Sequence, residues 1–184
     1  MSIIDFDENP IIAAVRNYDD FRRALDSNVN TVFILSCNLT DIDKYTSEAH
    51  SKGKKLFVHI DFLDGISKDA AGVSYLATKK IDGIISTRSS VIKCASDKKI
   101  PSVQRFFMVD SRSVDTAIEA MRSSRPDMIE VMPAIAYKTI TKIKNSTSVP
   151  IIAGGLVEKK DEIFAAISAG ASGVSTAAKN LWDI

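Results

Sequence analysis

Short apolar runs alternate along the chain with stretches whose apolar positions recur at three- and four-residue spacing. The first pattern reads as a strand covered on both faces, the second as an amphipathic helix. The apolar runs predict strands over Ile11–Arg16, Thr31–Cys37, Lys55–Asp61, Gly83–Ser86, Val103–Val109, Met128–Met132, Pro150–Ala153 and Gly173–Ser175. Helices are predicted over Tyr18–Ser27, from Asp41 as N-cap, over Asp69–Lys79 and Ser89–Ser96, from Asp110 or Ser111 to Ser123, and over Tyr137–Asn145 and Lys160–Ala169. A last turn or two falls within Ala177–Trp182. Pro133 ends the sixth strand, and the longer connection Phe62–Lys68 follows the third.

Eight β-α units in strict alternation predict an α/β fold with a parallel sheet. The last two strands stop at small residues, Ile152-Ala153-Gly154-Gly155-Leu156 and Val174-Ser175-Thr176. Strand ends of that kind, one unit apart and last in the chain, are where a barrel builds its phosphate site. The expected fold is therefore a minimal (β/α)8 TIM-barrel-like single domain over residues 1–184 rather than an open doubly wound sheet. Such barrels usually have at least about 200 residues, so little chain remains here for a lid.

Composition changes this picture little. The net charge is +1, so any nucleic-acid surface must arise from local charge patterning. No apolar run approaches the ~18 residues of a membrane span, and Met1–Asn9 is acidic, without the apolar core of a signal sequence. Cys37 and Cys94 stand apart from each other and from any Cys-x-x-Cys motif. Two free thiols fit the reducing cytoplasm, and no metal site is expected.

The candidate chemistry lies at the C-terminal strand ends. Backbone amides near Gly154, Gly155 and Thr176, with the hydroxyls of Ser175 and Thr176, are expected to hold a phosphate. Arg16, ending the first strand beside the eighth, can close that ring with a cation, or can be a plain surface arginine. Alternation turns Phe57, His59 and Asp61 inward together with Glu130. Arg105 lies on the strand next to Glu130. A structural ion pair filling the barrel and a pair that contacts a ligand both fit this placement. His59 and Asp61 can be core or ligand-facing. No inward lysine suits a Schiff base, and no nucleophile elbow is present.

A second pattern lies on the opposite rim. Lys52, Lys54 and Lys55 precede the third strand, Lys79 and Lys80 the fourth, and Lys98 and Lys99 the fifth. Arg122 and Arg125 precede the sixth strand, and Lys142 and Lys144 the seventh. Cations gather at helix C-termini for electrostatic reasons alone. A ring this dense is also a candidate surface for a phosphate backbone, with Lys54, Lys55, Lys79, Lys80, Lys98 and Lys99 its core.

Several stretches carry a family resemblance. They are His59-Ile60-Asp61-Phe62-Leu63-Asp64-Gly65, Asp82-Gly83-Ile84-Ile85-Ser86-Thr87-Arg88, Gln104-Arg105-Phe106-Phe107-Met108-Val109-Asp110-Ser111, and Asp127-Met128-Ile129-Glu130-Val131-Met132-Pro133. Together with Ile152-Ala153-Gly154-Gly155-Leu156, Val174-Ser175-Thr176 and Leu181-Trp182, the chain resembles the glycerol uptake operon antiterminators from Asn9-Pro10 to Trp182. The loop Val157-Glu158-Lys159-Lys160 departs from the polar-acidic loop of that pattern. The resemblance implies a cytoplasmic barrel that is a regulator rather than an enzyme, without catalytic residues or cofactor. Its implied effector is glycerol 3-phosphate and its implied partner the leader mRNA of glycerol-utilisation genes. Gly154, Gly155, Ser175 and Thr176 would hold the phosphate; His59, Asp61, Arg105 and Glu130 would face or brace the glycerol end. The alternative is a phosphosugar isomerase or epimerase with Asp61 and Glu130 as acid and base. Homo-oligomerisation stays open.

Overall fold

The computed structural model describes residues 3–184; Met1 and Ser2 of the acidic N-terminal stretch lie outside them. The apolar runs form strands β1 Ile11–Val15, β2 Thr31–Ile34, β3 Lys55–His59, β4 Gly83–Ser86, β5 Ser102–Phe107, β6 Met128–Met132, β7 Ile151–Gly154 and β8 Gly173–Thr176. All pair in parallel, in the closed order β1-β8-β7-β6-β5-β4-β3-β2. Helices α1 Tyr18–Asp26, α2 Ile42–Ser51, α3 Ala70–Ala77, α4 Ser89–Asp97, α5 Ser111–Ser124, α6 Tyr137–Lys144 and α7 Lys160–Ser168 cover the outside. After β8 the chain makes a single 3-10 turn, Lys179–Leu181, in place of an eighth helix. The protein is a (β/α)8 barrel.

Side-chain alternation divides the core in two. Outward residues such as Val32, Val58, Ile84, Ile129 and Val174 pack against the helices. Inward residues Ile12, Phe33, Phe57, Ile85, Val103, Met128 and Ile152 fill the barrel. The N-terminal segment closes the bottom. Ile4 is buried among the inward residues, and Ile3 and Phe6 pack on them. Lys55, entering β3, donates to the Ile3 carbonyl.

The caps follow local chemistry. Asn17 accepts from the Asp20 amide at 2.8 Å at the start of α1. Asp69 accepts from Ala71 and Gly72 at the start of α3. Asp110 and Ser113 exchange bonds at the start of α5. Asp41 stands at the N-cap of α2 as expected, but the helix is entered from the 3-10 turn Leu39–Asp41, and the Asp41 carboxylate makes no capping bond among the described residues. Four predicted strands also end early: β1 stops at Val15 and β5 at Phe107, and two others stop where the chain takes up different structure. β2 stops at Ile34, and Cys37–Asn38 instead pairs with Leu63–Asp64 as a two-stranded ribbon on the C-terminal side of the barrel. β3 stops at His59, and Asp61 lies in the 3-10 turn Ile60–Phe62.

Candidate functional site

The barrel interior turns polar one layer above its apolar filling. Arg105 and Glu130 follow inward Val103 and Met128 by two residues and sit opposite each other in the β5–β6 register. Arg105 Nε donates to Glu130 Oε2 at 2.5 Å, and Ser175 Oγ donates to Glu130 Oε1 at 2.5 Å. Glu130 is fully buried and Arg105 nearly so. Satisfying both carboxylate oxygens is what lets such a charge stay inside. Gly154 makes room for this arrangement: a Cβ there would lie 2.5 Å from Glu130 Oε1 and 2.6 Å from Ser175 Oγ. The close approach at Gly154 is therefore to a buried carboxylate.

Above this pair opens a cleft of about 420 Å³. Ala14 and Arg16 line it from β1 and its exit, Leu35 from the exit of β2, Arg105 from β5, and Glu130 and Met132 from β6. The loop after β7 contributes Gly155, Leu156, Val157 and Glu158, and the end of β8 contributes Ser175, Thr176, Ala177 and Ala178. The chain turns after β7 through two left-handed residues, Gly155 at φ +76° and Leu156 at φ +60°. Any Cβ at Gly155 would meet Met132 Cε at 2.7 Å.

The donors facing an anion differ from the expectation. The Ser175 hydroxyl is committed to Glu130, and Thr176 Oγ1 donates to the Val157 carbonyl at 2.7 Å and accepts from the Ala178 amide at 3.0 Å. Both hydroxyls brace the loop and the buried pair. The Leu156 and Ala177 amides have no acceptor among the described residues, and both residues line the cleft. Arg16 is exposed, lines the cleft, and has no ion pair among the described residues. Arg105 uses only Nε on Glu130, so its Nη groups have no partner among the described residues. Glu158 adds a negative charge at the lip; its amide, with that of Lys159, is held by the Glu162 carboxylate.

His59 and Asp61 lie beside the cleft, not on its wall. His59 is 1% exposed, and neither ring nitrogen has a hydrogen-bond partner among the described residues. Its ring packs on Phe62 at 4.8 Å between centroids. Burial, then the Arg105 charge, pushes the imidazole down to about 4, so it is neutral at physiological pH. Asp61 Oδ2 lies 3.9 Å from His59 Nδ1, beyond bonding distance. Asp61 accepts instead from Ser86 Oγ, the Thr87 amide and Thr87 Oγ1. Burial raises its pKa, but these bonds outweigh burial and leave it below the ordinary aspartate value. The two carboxylates considered for acid–base work are thus both tied into the fold.

A family model described as the glycerol-3-phosphate responsive antiterminator matches residues 11–182. The chain belongs to this family. It is 32% identical over 178 residues to the uncharacterized protein YgcP of Escherichia coli K12, covering 96% of this chain and 93% of YgcP. The crystal structure of a glycerol uptake operon antiterminator regulatory protein from Listeria monocytogenes is 31% identical and superposes with a TM-score of 0.90 over 95% of each chain. A glycerol uptake operon antiterminator-related protein from Thermotoga maritima is 30% identical, with a TM-score of 0.84 over 94% of this chain and 96% of its own. Barrel aldolases and an epimerase at 10–14% identity share the fold alone.

In this antiterminator-family barrel, Arg16, Arg105, Glu130, Gly155, Ser175 and Thr176 meet at one cleft, while Gly154, His59 and Asp61 stand behind or beside it. Leu35, Met132 and Leu156 also line the cleft and were not singled out in the sequence. Alternation beyond Phe33 and Glu130 points to the first two; nothing marks Leu156. The Gln104 side chain of the family motif faces the helices, bonded to Ser89 and Ser124.

The basic rim is also thinner than expected. Lys54 is buried and donates to the Ser27 and Val29 carbonyls at 2.7 and 2.5 Å, and burial pushes its pKa down. Lys55 is bound to Ile3, and Lys79 pairs with Asp43 at 2.7 Å. Lys80, Lys98 and Lys99 remain exposed without ion pairs among the described residues. Among the described residues, no helix is long and apolar enough to cross a membrane.

Proposed function

We propose that this protein is a cytoplasmic, glycerol 3-phosphate-responsive antiterminator that takes its effector into the C-terminal cleft and acts on leader mRNA of glycerol-utilisation genes. It works as a regulator, with no cofactor. The phosphate lies against Gly155, Leu156, Thr176 and Ala177, with Arg16 as counter-charge. The glycerol hydroxyls meet the Arg105 Nη groups and the Glu130 carboxylate. His59 and Asp61 brace that end from the side, and Gly154 and Ser175 hold Glu130 in place. The observation that carries this reading is an exposed Arg16, without an ion pair among the described residues, facing the same cleft as a half-used Arg105, at the loops after β7 and β8. Bound Asp61 and Glu130 offer little to an isomerase or epimerase reading.

A thermal-shift series tests it. Glycerol 3-phosphate at about 100-fold its Kd should raise the melting temperature by roughly 5–10 °C, and glycerol should not. Gly155→Asp places bulk and negative charge at the phosphate position and should abolish the shift. Equal stabilisation by glycerol, or an unchanged response in Gly155→Asp, removes the phosphate from this cleft.

A further inference from the structure

Four residues other than glycine have positive φ among the described residues, and three of them are basic: Lys80 at 56°, Lys99 at 57° and Arg125 at 53°. They follow α3, α4 and α5, and the turns they form lead into β4, β5 and β6, three neighbouring strands of the barrel. A left-handed residue after a helix is ordinarily glycine, because a Cβ there crowds the backbone. The turns after α2 and α7 obey this rule, with Gly53 at φ +69° and Gly170 at φ +110°. The three basic turns break it side by side. Residues kept in disfavoured backbone regions point to a requirement other than folding.

Their surroundings agree. Lys80, Lys98 and Lys99 are exposed, without ion pairs among the described residues. Arg125 pairs with Asp97 at 2.6 Å, but both side chains are more than half exposed, and such pairs exchange readily for a stronger anion. The other acids of these turns already hold partners: Asp82 accepts from the Leu56 amide and His50, and Asp127, itself exposed, accepts from the Ser102 amide and hydroxyl.

We propose that the αβ turns carrying Lys80, Lys98, Lys99 and Arg125 form the strip that contacts the RNA phosphate backbone, on the barrel face opposite the effector cleft. This rests on the antiterminator reading above. It replaces a ring of lysines with one sector of the rim. It also explains why side chains are kept where glycine would fold better.

The strain gives the test its control. In the full-length protein, combine Lys80→Gly, Lys99→Gly and Arg125→Gly, and compare with Arg22→Gln, Lys93→Gln and Lys138→Gln, which remove as many exposed charges elsewhere. The strip variant should melt at or above the parent temperature and keep its glycerol 3-phosphate shift. Its affinity for leader RNA should fall at least tenfold, and the slope of log affinity against log salt should shrink by about 2, roughly 0.7 per lost single-strand contact. The control variant should bind as the parent does. Unchanged affinity and slope in the strip variant, or an equal loss in the control, overturns the strip while the antiterminator reading stands. A parent protein that ignores leader RNA with and without effector overturns both.

Discussion

His59 links the pocket to pH through a base held neutral. Its folded pKa of about 4 lies below the ordinary 6.5, so between these values the unfolded chain binds more protons than the native one. Its contribution is fully present above pH 6.5 and is lost as pH falls toward 4, by on the order of 1–3 kcal/mol. Urea denaturation at pH 7 and pH 4.5 should show this loss in the parent and a smaller one in His59→Leu. His50 is common to both proteins, so the difference belongs to His59, and equal losses would remove the buried imidazole from the account. Gly154 gives a second test at this scale. Gly154→Ala should destabilise by roughly 1–3 kcal/mol through overpacking. Adding Ser175→Ala removes one of the two atoms in the way and should recover part of that loss, a coupling expected of touching residues. The sequence assigned Gly154 and Ser175 to the phosphate and Arg105 and Glu130 to the other end of the pocket. It did not reveal that the first two serve Glu130, because which polar atoms meet is decided by strand register.

At the level of elements, hydrophobic periodicity located the eight barrel strands and the seven α-helices of the described residues, because strands covered on both faces and helices covered on one leave unmistakable patterns. What it missed is short and aperiodic. The Cys37–Asn38 and Leu63–Asp64 ribbon and the 3-10 turns at Leu39–Asp41 and Ile60–Phe62 contain too few residues to show a period. The missed turn matters chemically, since it carries Asp61 off the strand and onto Ser86 and Thr87. The N-terminal closure was missed for another reason. Ile3, Ile4 and Phe6 are scattered among Asp5, Asp7 and Glu8, so composition reads as an acidic leader. Phe6 nevertheless occupies the space a Cβ on Gly173 would need, at 2.5 Å. Ile4→Ala should therefore cost roughly 2–5 kcal/mol, the range of a buried Ile truncation. The glycerol 3-phosphate shift should survive, since the closure lies at the other end of the barrel. A loss below 0.5 kcal/mol would mean the segment merely lies against the barrel.

Across the whole molecule, a net charge of +1 is made of acids and bases at both ends of the barrel. First turns of α1 and α7 carry Asp19, Asp20, Asp161 and Glu162 at the cleft end, beside Arg16, Arg88 and Lys159; the exposed lysines of the α3 and α4 turns lie at the other. On the proposals above, effector and RNA bind at opposite ends of the same strands. β4 to β6 start at the basic turns, and they carry Ser86, Arg105 and Glu130 toward the cleft. A charge or hydrogen bond changed at Arg105 has a packed route of one strand length to the strip. If glycerol 3-phosphate raises leader-RNA affinity by some factor, linkage requires RNA to raise glycerol 3-phosphate affinity by the same factor, typically about 5–150-fold for coupled sites. Titrating RNA with and without saturating effector, and effector by calorimetry with and without saturating RNA, measures both sides. The factors should match in the parent and fall together toward one in Arg105→Met, which keeps the strip's charges but removes the group shared by pocket and barrel. Full coupling in that variant would show that the signal travels by another route, and Arg105 would be left with a role in the effector pocket alone.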